Sequence, residues 1–600
     1  MKTHIRIGNS SGFWGDDLSA FRRQLETGNL DYLTMDFLAE ITMSILKKQQ
    51  IRNPELGYVT DFVDQVLENA TLIKEKKVRI LSNAGGMNPE GCARKIQKGL
   101  EEQGISLKIS IIEMDSVFHL LDDFQSKGIS LTNMETGESF ETIKGDVQAA
   151  NAYLGIPPIL KALQEGADII IAGRVTDTSI TMAPMVHEFG WKLDDWDKLA
   201  AGLVAGHIIE CGAQSTGGNF TDWHLIEKWD NFGYPIVEVY PDGSFIVEKA
   251  AGTGGLISLN SVKEQLVYEM GNPAAYISPD VVADFRSIQL EEVGKDKVKV
   301  FGVKGMPSTR FLKVSMAYKD GFSAFGSLIV SGGNALSKAK KFGEILWERL
   351  DTAFEKTNTE YVGYNACHLN LAPAQEPNEV LLRLNVYDKD REKLIHFSKN
   401  IAPLILSGPP GVAVTGGRPR VIAVMSYWPT LIPKEEVVSL VTSYDEQSEV
   451  TAKHYVKSLT GYESDAIDLG EKAQTAIEPS KNETLHTGNY RVKYADICLA
   501  RSGDKGDTAN IGVIARSEKI YQFLKENLTA SEVKYLFKDV CDGKVERYAL
   551  DNIGGLNFLL EASLDGGGTK SLMIDAQGKT FAQALLNQEV CIPEELYKTL

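Results

Sequence analysis

The chain has no uninterrupted apolar run near the roughly 20 residues needed to cross a bilayer, which argues against a membrane-spanning role. Its opening, Met1-Lys2-Thr3-His4-Ile5-Arg6, runs directly into a strand-like segment with no apolar leader, so a cytoplasmic location is expected. The six cysteines (Cys92, Cys211, Cys367, Cys498, Cys541 and Cys591) lie far apart and form no C-x-x-C pair. That spacing fits a reducing compartment rather than a disulfide framework. Nine histidines supply neither H-E-x-x-H nor a clustered Cys/His spacing, so no metal site is assigned. A basic excess is missing too: 63 Lys plus Arg against 81 Asp plus Glu give a net charge of −18. Nucleic acid and anionic membrane are therefore not expected partners of the general surface. No internal repeat or low-complexity tract suggests a solenoid.

What is present is an ordinary globular composition, 43% hydrophobic and 24% charged over 600 residues, too long for one core at about 150 residues per domain. Through residue 215 short β-branched runs alternate with glycine-rich or polar loops and amphipathic segments. Ile5-Arg6-Ile7, Val78-Arg79-Ile80-Leu81 and Ile169-Ile170-Ile171 are the clearest such runs. This predicts an α/β, Rossmann-like doubly wound parallel sheet over 1–215, with helices over 37–47, 89–103 and 195–209. Residues 216–445 read as an α+β region of the same large domain. There 311–316 and 325–330 are predicted as neighbouring antiparallel strands, followed by a helix over 336–354. The polar stretch 446–490 is the linker candidate, and 491–600 forms a small carboxyl-terminal α+β domain.

Ligands of an open parallel sheet collect beyond the carboxyl ends of its strands. Asn9, Ser10, Asp16, Asn83, Gly85, Gly86, Arg174, Thr176 and Asp177 all follow predicted strands and are expected at one crevice. Gly85-Gly86 permits close backbone approach, and Asn88-Pro89 makes a good helix start, so an anion fits there; a plain strand-to-helix turn needs the same residues. The loop carries no G-x-G-x-x-G, and the chain carries no P-loop. Arg174 could fork onto a carboxylate or phosphate, or simply pair with Asp177. Asp36 and Glu40, four apart on a predicted helix face, would repel and raise one pKa, which suits acid–base work. Asp16, Asp36, Glu40 and Asp177 are thus the catalytic candidates. His207 and Cys211 form a second set, although the cysteine sits at the wrong helix end for thiolate activation. Arg418 and Arg420 lie in glycine-proline turns that serve an anion or a structured loop equally well. In the last domain Arg501, Asp504, Lys505 and Asp507 crowd one glycine turn, as an anion-binding nest or as staples of a hairpin.

Five blocks in order carry a resemblance over nearly the whole chain: Gly12-Phe13-Trp14-Gly15-Asp16, 30–40, Asn83-Ala84-Gly85-Gly86-Met87-Asn88-Pro89, Gly173-Arg174-Val175-Thr176-Asp177, and 500–507. They resemble the acyclic terpene utilisation A family. The resemblance implies a large amino-terminal domain, a small ferredoxin-like carboxyl-terminal domain, and a place in the catabolism of branched acyclic terpenoids or related acids as coenzyme A thioesters. It assigns no reaction and no catalytic residue. The resulting expectation is a lyase or hydro-lyase acting on a small anionic carboxylate or acyl-CoA. No tightly bound cofactor is expected, coenzyme A entering only as part of a substrate, and a homo-oligomer is left open. The alternatives are a thioester or amide hydrolase using Cys211 and His207, and a noncatalytic assembly subunit docking through 501–507.

Overall fold

The computed structural model describes residues 2–38, 40–373, 375–459 and 473–600. They fall into two compact units, each built from separated stretches of chain. The first comprises the described residues of 1–317, 428–472 and 550–555, and the second those of 318–427, 473–549 and 556–600.

The first unit is organised by an eleven-stranded sheet. Its centre is parallel: β1 (Ile5–Asn9), β2 (Tyr32–Met35), β3 (Arg79–Ser82), β6 (Ile169–Ala172) and β4 (Ile109–Glu113) are hydrogen-bonded in that order. β5 (Val147–Ala152) lies outside this sheet. The wholly parallel expectation is corrected at both margins. On one side β7 (Pro235–Val239) pairs antiparallel with β1, followed outward by β8 (Phe245–Lys249), Lys297–Phe301 and Gln289–Gly294. On the other, Val438–Tyr444 and Val450–Lys457 run antiparallel beyond β4. The reason is connectivity. Strands joined by tight turns, as β7 and β8 are across Asp242-Gly243, cannot be parallel, whereas the β3-to-β4 connection is long enough to carry a helix.

That helix, Pro89–Gln103, matches its predicted bounds because its signals are local. Asn88 Oδ1 accepts the Gly91 N–H at 2.9 Å, Pro89 opens the first turn, and Gly104 closes it at φ +67°. Its buried stripe of Cys92, Ala93, Ile96 and Leu100 recurs every three to four residues and joins a core with Phe62, Val66, Ile80, Ile111 and Ile171. Trp196–Ile209 likewise forms as expected.

Three local expectations are corrected. Residues 311–316 and 325–330 are not two strands but parts of one, Phe311–Ser331, in which Gly321 takes φ +69° without reversing the chain. The predicted linker is largely structured: Val450–Lys457 belongs to the large sheet and Gln474–Ala476 pairs with Val545–Leu550, while 460–472 lie outside the described residues. The helix predicted from 37 begins at Glu40 and runs to Arg52.

In the second unit, Glu379–Asp388 is flanked by Lys356–Val362 and by residues 322–331, and helices Ala335–Leu350 and Arg391–Ile401 supply the core over them. The carboxyl-terminal segment adds a five-stranded sheet packed by Glu518–Asn527, Ala530–Leu536 and Phe581–Leu586.

Candidate functional site

Because β1, β2, β3, β6 and β4 are parallel neighbours, the segments that follow them emerge at one edge of the sheet. At that edge a chain of hydrogen bonds joins residues far apart in sequence. Asn83, just past β3, donates from Nδ2 to Asp36 Oδ1 at 2.8 Å and accepts the Phe37 N–H at 2.9 Å. Asp36 Oδ1 also accepts the Leu38 N–H at 3.2 Å. These contacts hold Asp36 in the loop ahead of the helix that is described from Glu40. The shared helical face predicted for Asp36 and Glu40 is therefore not how they come together.

Arg174, just past β6, is buried and closes the network. Its Nη1 donates to the Leu38 carbonyl at 2.9 Å and to Asp177 Oδ1 at 2.6 Å, and its guanidinium lies 4.0 Å from the centre of the Tyr153 ring. Tyr153 donates its hydroxyl to Glu40 Oε1 at 2.7 Å, and Lys313 Nζ stands 3.6 Å from the same oxygen. On the other side the Arg174 N–H donates to Asp115 Oδ2 at 3.0 Å, which also accepts Asn151 Nδ2 at 2.7 Å. Tyr153, Lys313, Asp115 and Asn151 carry no local sequence signal and were missed. Long-range backbone contacts bring their segments here, among them the bridges Leu154–Val175 and Ser116–Asn151 and the Tyr153 N–H to Lys313 carbonyl bond.

The environment pushes the two carboxylates apart. Complete burial, with the charge of Asp177 added, raises the Asp36 carboxyl well above the ordinary range despite Arg174 and the Asn83 amide. Burial would raise Glu40 as well, but Lys313, Arg174 and the Tyr153 hydroxyl outweigh it and hold the pKa down at about 2. Burial works against the charge of Arg174, yet Asp177, Tyr153, Glu40 and Asp36 together keep it protonated. Several buried atoms at this edge have no hydrogen-bond partner: Asp36 Oδ2, Arg174 Nε, Ser10 Oγ, Thr176 Oγ1 and Thr178 Oγ1. Leaving such an atom unpaired costs about 1–3 kcal/mol each.

The remaining predicted residues divide. Asn9 is spent locally, its Oδ1 accepting the Ser11 N–H at 3.0 Å. Asp16 accepts the Gly12 N–H at 2.8 Å and the Tyr234 hydroxyl at 2.5 Å, so it anchors the first loop. Gly85 is required by packing, since a Cβ there would stand 2.7 Å from the Ala172 carbonyl, and Gly86 takes φ +51°. Asn88 caps its helix. His207 is buried edge-on to Tyr276 and Phe285, with Nδ1 3.2 Å from Glu210 Oε1, and Cys211 follows the carboxyl end of its helix, where the dipole disfavours a thiolate.

Arg501, Asp504, Lys505 and Asp507 belong to the second unit. The loop expected there is corrected: Cys498–Lys505 and Thr508–Ala515 are strands paired up to Lys505 and Thr508, leaving a two-residue Gly506-Asp507 turn. Asp507 Oδ1 accepts the N–H groups of Leu564 at 3.1 Å and Gly566 at 2.8 Å, and Asp504 Oδ1 lies 3.4 Å from Gln577 Nε2 and from Lys579 Nζ. Arg501 is buried and Lys505 exposed. Arg418 and Arg420 are exposed, Arg418 donating to Ser398 Oγ at 3.1 Å.

Fold and site together define a mixed α/β protein with a charged, incompletely satisfied network at the carboxyl edge of its parallel strands. The chain belongs to the acyclic terpene utilisation family: the model described as acyclic terpene utilisation family protein AtuA matches residues 5–443, and the AtuA ferredoxin-like domain matches 492–591. No curated protein and no solved structure matches it. Among the described residues no helix is long and apolar enough to cross a membrane, and no group of His, Cys, Asp and Glu could hold a metal ion.

Proposed function

We propose that the chain is an acid–base enzyme, a hydro-lyase or lyase, acting on a carboxylic acid or its thioester at the edge formed by Asp36, Glu40, Asn83, Arg174 and Asp177. The observation that carries this reading is the hydrogen-bonded edge around Arg174 with its unpartnered buried atoms, where burial displaces Asp36 upward while Lys313, Arg174 and Tyr153 hold Glu40 down at about 2. Pairs of carboxyls separated in this way mark acid and base roles. Asp36 is the proton-transfer group: burial raises its carboxyl well above the ordinary range, and its buried Oδ2 has no partner in the protein. Glu40 is a weak base at such a low pKa and serves instead as a positioning residue, fixing Tyr153 and Lys313. Arg174 supplies positive charge where negative charge develops on a carbonyl oxygen.

The test is α-proton exchange in deuterated water, followed by NMR, together with interconversion of short 2-enoyl and 3-hydroxy acids and their coenzyme A thioesters. Wild-type protein should exchange or interconvert at least one of these, and Asp36→Asn should lose the activity while Glu40→Gln retains a fraction. Inactivity of the wild type toward the whole set, or an Asp36→Asn protein as fast as wild type, would end the proposal.

A further inference from the structure

Resting on the acid–base reading above, we infer that the small cavity beside the Gly85-Gly86 turn seats the carboxylate of the substrate, with Lys47 as its charge partner, and that the substrate is a short free acid. The cavity has a volume of about 220 Å³, and its walls include Lys47, Gln50, Met87, Asp115, Phe118 and Ala149. It adjoins the network just described through Asp115, whose Oδ2 holds the Arg174 N–H.

Lys47 lies seven residues beyond Glu40 on the same helix, hence on the same face. Its Nζ makes one hydrogen bond, to Gln50 Oε1 at 3.3 Å, and among the described residues it forms no ion pair. Half-buried and without a counter-ion, it is a cation whose desolvation the protein leaves uncompensated; an anion in the cavity supplies the missing partner. Arg174 does not take that part as the sequence suggested, since it does not line the cavity and its Nη1 is engaged by the Leu38 carbonyl and Asp177. Asp115 shares the wall, but its Oδ2 is occupied by the Arg174 N–H at 3.0 Å and Asn151 Nδ2 at 2.7 Å.

Size and lining restrict the ligand. At about 30 Å³ for each water-sized group the space holds about seven such groups, enough for a short acid but not for the nucleotide of coenzyme A. Met87, Phe118 and Ala149 give the hydrocarbon part an apolar wall that inorganic phosphate would not use.

Calorimetric titration of the full chain with butyrate and with inorganic phosphate tests the assignment. Butyrate should bind wild-type protein more tightly than phosphate, Lys47→Met should weaken butyrate at least about tenfold while preserving the aliphatic stem, and Lys47→Arg should stay within about threefold. Circular dichroism melts of Lys47→Met guard against misfolding. Undetectable butyrate binding by wild type, tighter phosphate than butyrate, or equal butyrate affinity in Lys47→Met would each overturn the inference. Asp36→Asn separates the two readings: if it abolishes exchange while Lys47→Met binds butyrate normally, the anion seat fails and the acid–base site stands. If Lys47→Met loses butyrate but Asp36→Asn exchanges protons normally, the reverse holds.

Discussion

Two charged segments of this chain look alike in sequence, 173–177 in the first unit and 501–507 in the second, each placing arginine and aspartate near glycine after an apolar run. In the structure they differ in how their charges are satisfied. Asp507 spends its carboxylate on the N–H groups of Leu564 and Gly566, the role of a loop staple. Arg174 instead links segments from β2, β4 and β6, and the network around it leaves Asp36 Oδ2 and its own Nε buried without partners. Charge density in a glycine turn is therefore a poor guide to a site. Burial with incomplete satisfaction is the better one, because folding alone gives no reason to retain it.

The comparison breaks most directly at Arg174. Arg174→Met removes the cation shared by Asp36, Glu40 and Asp177; because Asp177 and Glu40 are partly exposed, the loss should be about 2–3 kcal/mol. The midpoint of urea unfolding monitored in the first unit should fall accordingly. A loss below about 1 kcal/mol would mean that the surrounding carboxyls are neutral or solvated, and the network would then be no more demanding than the Asp507 staple.

Acid–base behaviour sharpens the same contrast. Asp280, also in the first unit, accepts the Ile156 N–H at 3.0 Å and the Ser179 hydroxyl at 3.1 Å, yet burial pushes its pKa up to about 6. The folded state therefore binds this proton more tightly than the unfolded chain does. Its contribution is greatest below about pH 4, declines as the pH rises to about 6, and is level above, a change of up to about 3 kcal/mol. Asp36 adds in the same direction. Stability measured from pH 4 to 7 should slope downward, and Asp280→Asn should make that slope shallower. An unchanged slope in the variant would assign it to other groups.

How much of this was legible in the sequence follows the range of the interactions involved. The helix Pro89–Gln103 could be read to the residue because its cap, its proline and its closing glycine lie within the element. The common edge of Asn83 and Arg174 was also accessible, since it needs only parallel neighbours with loops at their ends. The antiparallel margins of the sheet were not: residues 438–457 return from far along the chain to pair beside β4, and nothing local says so. Tyr153, Lys313 and Lys47 escaped for a related reason. A tyrosine whose hydroxyl meets Glu40, or a lysine that faces a cavity, looks in sequence like any other. Asp36 was picked out with the wrong geometry, because its carboxylate is held in the loop by the Asn83 amide, 47 residues away in sequence.

The smallest expected effect lies in the second unit and is the control on which the contrast depends. Asp507→Ala strips the acceptor from two N–H groups that solvent can partly reach, so it should cost about 1–2 kcal/mol in thermal or denaturant unfolding and leave proton exchange and butyrate affinity unchanged. If the 501–507 segment were itself a ligand nest, its loss would instead weaken anion binding with little change in stability. The two outcomes pull the two measurements in opposite directions, so one variant decides whether the second charged turn holds the chain together or holds something else.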